Sequence, residues 1–496
     1  MSAFETDRTL STGIAGLDDI LYGGLAPDRL YLVEGDPGSG KTTLGLHFLM
    51  EGAKRGERCV FVTLSETEVE LRASARSHGW SLEGIEIIEV IASEESLKPD
   101  ARYTMYHPSE VELSATVGRV ISEAERSRPE RLVFDSLSEL RLLAEDPLRY
   151  RRQILALKQF FSRQHCTVLC TDDQTGDRSD MHLHSVSHGV LSLERLTPEY
   201  GIMRRRMQIS KMRGSDFREG YHDYRILRGG LEIYPRLVAA EHHASYAREL
   251  VKSGSDQLDA LLGGGLSRGT SNLIIGPAGV GKSTIATQYA AWAAKHGIGA
   301  AIYLFDESVR TFRERTAGLG IEIEPLLESG RLRVRQVDAA ELSPGEFAHG
   351  VRRTVENDQI AVVVIDSLNG YLNGMPSEHY LTLHLHELLA YLGQRGVTTL
   401  MILAQHGLAG QNVQVPVDAS YLADTVLLLR YFEAAGEVRQ ALSVIKKRTG
   451  PHERTIRELR LANGLEIGEP VRDFQGVLTG TPEFIGQGGQ RANVRP

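Results

Sequence analysis

The spacing Gly-x-x-x-x-Gly-Lys-(Ser/Thr) occurs twice in this chain. It appears first as Gly35-Asp36-Pro37-Gly38-Ser39-Gly40-Lys41-Thr42 and again as Gly276-Pro277-Ala278-Gly279-Val280-Gly281-Lys282-Ser283. Each run follows a short apolar stretch and opens onto a helix-forming one. Glycines at such a junction let backbone N–H groups curl inward around an anion. The helix N-terminus adds its partial positive charge. In this setting Lys41 and Lys282 reach the β- and γ-phosphates of a triphosphate, and the hydroxyls of Thr42 and Ser283 ligate Mg²⁺. Thr43 and Thr284 complete the two runs, so ATP and Mg²⁺ are the expected ligand and metal.

The two runs belong to a longer duplication. TGIAGLDDILYGGLAPDRLYLVEGDPGSGKTT from Thr12 aligns without a gap with SGSDQLDALLGGGLSRGTSNLIIGPAGVGKST from Ser253, and the same spacing carries Glu66 onto Glu307. Further on, Phe134-Asp135-Ser136 matches Ile365-Asp366-Ser367, and SKMRG from Ser210 matches IKKRT from Ile445. Landmarks in one unbroken order indicate a duplicated domain, joined near residues 236–250. A chain of 496 residues is also too long for one core. We therefore expect domains at 1–240 and 241–480. The glycine-rich, polar end, 481–496, is expected to be a disordered tail.

Within the first copy, 30–35, 59–64, 132–135 and 166–171 read as strands. Residues 41–54, a stretch ending near 78, and 148–164 read as helices. Strands alternating with helices indicate an α/β fold with a mostly parallel sheet flanked by helices. Residues 190–194 and 203–211 alternate in polarity and read as antiparallel additions.

Asp135 and Asp366 each end an apolar strand, where a carboxylate can hold the water shell of Mg²⁺. Glu66, Asp306 and Glu307 follow the next strands, in FVTLSET and YLFDES, and are candidates to polarise an attacking water or hydroxyl. The histidines at 182, 184 and 188, and at 379, 384 and 386, read as scattered polar residues. On a helix 384 and 386 point apart. In a strand 182 and 184 share a face, with no carboxylate or thiol in register. The run ERSRPER at 125–131 reads as a solvated helix end.

Charge and cysteine content narrow the class. With 56 basic against 65 acidic side chains, net charge is −9, the reverse of the surplus usual on nucleic acid. Cys59, Cys166 and Cys170 are too few for a disulfide framework and read as apolar fillers in a reduced compartment. No stretch approaches the roughly 20 apolar residues that span a bilayer. MSAFETDRTLSTG carries no leader signal. The chain reads as cytoplasmic, without a membrane or nucleic-acid partner.

These landmarks resemble the KaiC family of RecA-like ATPases over about residues 8–480. The likeness rests on TGIAGLDDILYGG, on the duplicated loops and aspartates, and on KMRGS at 211–215. It rests also on ADTVLLLRYFEAAGEVRQALSVIKKR at 423–448, followed by HERTIRE. Gas-vesicle regulators, RadA-type repair proteins and hexameric helicases share the phosphate loops but not this tandem layout. The resemblance implies two tandem RecA-like domains in a double-ringed homohexamer, with ATP between subunits. The first ring would hydrolyse ATP, and the second would phosphorylate its own serine and threonine residues. It also implies cations supplied to the neighbour's nucleotide: Lys211 and Arg213 in the first half, and Lys446 and Arg448, with His452 and Arg454 nearby, in the second. Gln405, ahead of His406 at a strand end, falls where RecA-like folds sense the γ-phosphate.

Three positions depart from the family. Its Glu-Glu pair is Ser65-Glu66 in the first half, leaving hydrolysis to Glu66, and Asp306-Glu307 in the second. At the acceptor segment Ser420 takes the serine position, but Tyr421 replaces the threonine. The implied activity is an ATPase and single-site serine autokinase, with Ser420 as acceptor and Asp306 or Glu307 as base, in a regulatory or signalling role with protein partners. One alternative is a DNA-dependent RecA/RadA-like motor, which would need basic loops lining a channel, and no aromatic–basic run or zinc-binding cysteine cluster supplies them. Another is a non-catalytic scaffold glued by nucleotide, which Ser65 makes conceivable for the first half.

Overall fold

In a computed structural model the described residues are 9–90, 108–144, 146–174, 181–198, 201–373, 380–405, 420–461, 464–478 and 482–486. The chain divides into two compact units, Met1–Arg236 and Leu237–Pro496.

In the first unit the strands are β1 (Leu30–Gly35), β2 (Cys59–Thr63), β3 (Ile85–Glu89), β4 (Arg131–Asp135), β5 (Thr167–Asp173), β6 (Gly189–Leu196), β7 (Arg204–Met212), β8 (His222–Leu227) and β9 (Gly230–Tyr234). The helices are α1 (Ala15–Ile20), α2 (Lys41–Lys54), α3 (Glu68–Ser77), α4 (Pro108–Ser127), α5 (Leu137–Ala144), α6 (Pro147–Arg163) and α7 (Met181–Val186). The nine strands form one sheet in the order β3-β2-β4-β5-β1-β6-β7-β8-β9. It is parallel from β3 to β6 and antiparallel from β6 to β9.

Alternation along buried strands sends side chains to two cores. Tyr31, Val33, Phe61, Val133 and Leu169 pack with Leu44, Phe48 and Leu49 of α2. Leu32, Val62, Phe134 and Val168 pack with Val117, Leu140, Ile154 and Leu157 of α4–α6. Each such side chain contributes about 1.5–3 kcal/mol by leaving water. The three cysteines are free and buried in these layers.

The second unit repeats the plan. Its strands are β10 (Leu250–Val251), β11 (Leu266–Ser267), β12 (Ser271–Gly276), β13 (Gly299–Leu304), β14 (Leu332–Gln336), β15 (Ile360–Asp366), β16 (Thr398–Ala404), β17 (Thr425–Ala434), β18 (Glu437–Lys447), β19 (Arg457–Leu461), β20 (Leu465–Pro470), β21 (Phe474–Gln475) and β22 (Glu483–Phe484). Its helices are α8 (Asp256–Leu261), α9 (Lys282–Lys295), α10 (Val309–Gly318), α11 (Glu324–Glu328), α12 (Pro344–Asn357), α13 (Leu368–Asn373) and α14 (Leu381–Gln394). The large sheet runs β14-β13-β15-β16-β12-β17-β18-β19-β20. Both units are RecA-like: a mostly parallel sheet between helices, with the phosphate-loop strand in its middle.

The opening segment of each repeat folds alike. Thr12 N donates to Asp18 Oδ1 at 2.8 Å, and Ser253 N donates to Asp259 Oδ1 at 2.8 Å. The seam segment belongs to the second unit. Leu237 lies in its core, and Ala244 N donates to Gln394 O at 3.1 Å.

Three sequence readings change. Residues 125–131 are not all a solvated helix end, because Arg131 starts β4 and is fully buried. Its Nη1 donates to Ser11 O at 2.7 Å and Phe48 O at 3.0 Å, its Nε meets Glu57, and its guanidinium lies 4.6 Å from the Phe48 ring centre. Residues 182 and 184 lie on α7 rather than a strand. Within the expected tail, Glu483–Phe484 pairs antiparallel with Phe474–Gln475, and Phe484 meets the Phe474 ring at 5.5 Å. Residue 481 and residues 487–496 lie outside the described residues, as does His406. Among the described residues no helix is long and apolar enough to cross a membrane.

Candidate active site in each half

In the first unit Gly40 turns β1 into α2 at φ +101°, a left-handed conformation that glycine adopts freely. Lys41 folds back over the loop. Its Nζ donates to Gly35 O at 2.9 Å and Asp36 O at 3.1 Å, and pairs with Asp173 Oδ1 at 2.7 Å. Thr42 Oγ1 donates to Asp135 Oδ2 at 2.7 Å, and Thr171 holds the other carboxylate oxygen. Arg195 Nη1 donates to Pro37 O at 3.2 Å. Glu66 is exposed at the end of β2, its backbone fixed by Thr63 Oγ1. Its carboxyl is nonetheless partly desolvated, and this, with the charges of Asp135 and Glu70 nearby, raises its pKa above the ordinary glutamate value. Ser65 is exposed beside it.

The second loop turns at Gly281, φ +103°, and Lys282 Nζ donates to Pro277 O at 2.6 Å. Burial lowers the Lys282 pKa to about 8, against the opposing pull of Asp366. Burial likewise raises the Asp366 carboxyl. The Ser283 hydroxyl and Arg315 resist that shift, while Glu307 and Asp306 add to it. Asp306 accepts from Ser367 Oγ at 2.5 Å. Both oxygens of Glu307 are held by Arg315, at 3.1 Å from Nε and 3.0 Å from Nη2. Tyr431 takes the place of Arg195, its hydroxyl donating to Ala278 O at 3.2 Å.

The candidate trans-acting cations sit at matching places. A register shift between Val190 and Leu191 leaves Ser210 as a bulge just before Lys211, and one between Val426 and Leu427 leaves Ile445 just before Lys446. Bulges re-aim the side chains that follow them. Lys211 Nζ donates to the His184 carbonyl and to Ser187 O at 2.8 Å, and Arg213 Nη2 donates to Ser185 O at 2.7 Å. Lys446 Nζ donates to Ser420 O at 2.9 Å and Ala423 O at 2.6 Å. Arg448 Nη1 lies 3.5 Å from Asp424 Oδ1. Arg454 is exposed and His452 half-buried. Ser420 is exposed and opens a 3₁₀ turn, Ser420–Leu422, whose Leu422 is buried in the core.

The sequence reading missed several residues beside these sites. Asp173 stands opposite Gly35 on β5. Gln174 N donates to Gly35 O at 3.3 Å as Gln405 N does to Gly276 O at 3.1 Å. The spacing that relates Asp135 to Asp366 also relates these glutamines, so that signal was present in the sequence. Ser367, paired with Ser136 at that same spacing, carried the signal too, whereas Arg315 carried none. His184, set aside as a scattered polar residue, places Nε2 2.7 Å from Glu34 Oε2.

The residues suit a metal-bound triphosphate. Each half offers a hydroxyl on a carboxylate, the hard oxygen donors from which Mg²⁺ takes one or two ligands while keeping water. Ser39 Oγ and Gln405 Oε1 are buried without a partner among the described residues, leaving polar capacity at the loops. Each lysine occupies its own loop with carbonyl contacts that a phosphate oxygen can replace.

The family model described as "ATPase: KaiC" matches residues 10–238 and 251–471, once in each half. The "Circadian clock protein KaiC3" of Synechocystis sp. is 27% identical, covering 97% of this chain and 96% of its own. The "Circadian clock oscillator protein KaiC" of Parathermosynechococcus lividus is 26% identical, over 96% of this chain and 88% of its own. That of Synechococcus elongatus is 25% identical, over 96% and 92%.

Proposed function

This chain belongs to the KaiC family of ATPases, and from that premise we propose that it works as a cytoplasmic homohexameric double ring. Its two modules, which meet between Arg236 and Leu237, hold ATP and Mg²⁺ at subunit boundaries. The first turns ATP over, and the second also phosphorylates its own Ser420. The output is regulatory, read by protein partners. The observation that carries this reading is the paired loop geometry: in both halves a lysine, a helix-opening hydroxyl and a strand-end aspartate converge on one glycine-lined turn.

Lys41 and Lys282 exchange loop carbonyls for phosphate oxygens. Thr42 with Asp135, and Ser283 with Asp366, hold Mg²⁺, which when bound offsets negative charge on the β- and γ-phosphates. Lys211 and Arg213, or Lys446 and Arg448, meet the phosphates of the next subunit, where a cation stabilises charge on the transferring group. In the first half Glu66 orients and deprotonates the attacking water. In the second, Ser420 Oγ forms a bond to the γ-phosphorus as the bond to the β,γ-bridging oxygen breaks. ADP leaves with that electron pair, and Asp306 takes the hydroxyl proton.

Native mass with and without Mg-ATP, followed by phosphosite mapping of wild-type and Ser420→Ala protein, tests this. The reading expects a nucleotide-dependent hexamer and one phosphate that the substitution removes. A protomer that binds ATP but stays single removes the ring, and phosphate mapped elsewhere removes Ser420. For the first half, Ser65 and the Lys41–Asp173 pair favour a second reading, in which nucleotide there serves assembly alone. Turnover by the Lys282→Ala protein separates the two.

A further inference from the structure

Glu34, immediately before the first phosphate loop, is a buried carboxylate with 5% of its surface exposed. Burying a carboxylate is costly unless its oxygens are satisfied, and here both are. Oε2 accepts from His184 Nε2 at 2.7 Å, and Oε1 accepts from Ser192 Oγ at 2.7 Å. Ser192 Oγ in turn lies 2.7 Å from the hydroxyl of Ser210, the bulge residue before Lys211. Burial pushes the Glu34 carboxyl up, but hydrogen bonds from His184, Ser192 and Gln174 and the charge of His184 outweigh it and hold the pKa below the ordinary value.

Two routes therefore join Glu34 to Lys211. One crosses β6 and β7 through Ser192 and Ser210. The other runs through His184, whose helix α7 presents the carbonyls of His184 and Ser185, with Ser187 just beyond it, to Lys211 and Arg213. The second unit builds the same strands with Ile275, Leu428 and Ile445 at the places of Glu34, Ser192 and Ser210. The fold does not require the polar set, and the second unit tolerates an apolar one.

We propose that Glu34 is a positioning residue that ties its own phosphate loop to Lys211 and Arg213, so that the cations offered to the neighbouring subunit's nucleotide are set by the loop that precedes them. This rests on the trans role of those cations given above. Coupling of this kind needs a physical chain between the two groups, and the contacts above form one.

The test uses full-length Lys282→Ala protein, so that only the first half turns over, with assembly checked by native mass. Glu34→Gln breaks the network. The triple variant E34I/S192L/S210I replaces it with the packing of the second unit and guards against misfolding of the first. Both are expected to lower kcat roughly tenfold, as small misplacements of charge-stabilising groups do, with KM for ATP unchanged. A normal kcat, or a raised KM alone, overturns the inference, since Glu34 would then serve only its own loop. Lys211→Ala and Arg213→Ala are run alongside. If they leave kcat unchanged, the trans-cation reading fails and this inference with it. If they lower kcat while both Glu34 variants do not, the inference alone fails.

Discussion

Lys41 Nζ lies 2.7 Å from Asp173 Oδ1, an ion pair joining the first phosphate loop to the end of the neighbouring strand. The second unit has Ala404 at the place of Asp173, and Lys282 rests on the Pro277 carbonyl. A triphosphate arriving at the first loop must displace Asp173 and is repelled by it. Asp173→Ala is expected to tighten ATP binding there about fivefold, the worth of a partly exposed ion pair of ~1 kcal/mol. Calorimetric titration of the Lys282→Ala protein with and without the substitution reads this directly. Weaker binding would mean that Asp173 supports the complex.

The two acids after β13 are held differently. Arg315 takes both oxygens of Glu307, while Asp306 is exposed and shares one oxygen with Ser367. To take a proton from a hydroxyl, Glu307 must give up a guanidinium contact at either oxygen, whereas Asp306 gives up at most the one bond from Ser367. Asp306→Asn should cut Ser420 phosphorylation by about 100-fold or more, in the range of a lost general base, and Glu307→Gln by less. Initial rates of phosphate incorporation, at equal bound ATP, decide between them. The reverse order would make Glu307 the base.

Lys282 links second-loop binding to pH. Desolvation holds its pKa at about 8, and the charge of a triphosphate draws it back up. ATP binding at this loop should therefore take up protons between about pH 8 and 9 and weaken as pH rises through that range. Titration of the Lys41→Ala protein in buffers of different ionisation enthalpy measures the uptake. The same shift has a sign for stability. Because the folded pKa lies below the ordinary lysine value of 10.5, the unfolded chain binds more protons between about 8 and 10.5, and this group's unfavourable contribution is relieved as pH climbs.

Two glycines should respond oppositely to alanine. Gly118 is exposed within α4, and a Cβ there meets nothing within 4 Å, so Gly118→Ala should stabilise the first unit by about 0.5–1 kcal/mol. Gly281 has φ +103°, and its Cβ would come 2.5 Å from Leu461 Cδ1, so Gly281→Ala should cost the second unit about 1–3 kcal/mol and its nucleotide. Urea denaturation followed by a probe in each unit gives both values.

The duplicated α/β plan and the two loops were legible because their determinants are short. Glycine spacing, an apolar strand before it and a helix after it all lie within a few residues of Lys41 and Lys282. Arg131 was misread because a charge run looks solvated, while its burial depends on Ser11, Phe48 and Glu57 converging from other segments. His184 was passed over because the carboxylate it meets lies on β1, far away in sequence.

From its residues alone the chain specified the two glycine-lined turns and which hydroxyls and aspartates stand beside them, since local backbone freedom and chain order suffice for that. Sheet order decided the rest. Only the parallel pairing of β1 with β5 sets Asp173 against Lys41, only its pairing with β6 brings Ser192 to Glu34, and only the packing of α10 lays Arg315 across Glu307. Charges act through space over a few ångströms, and which charges come that close is fixed by the tertiary fold rather than by separation along the chain.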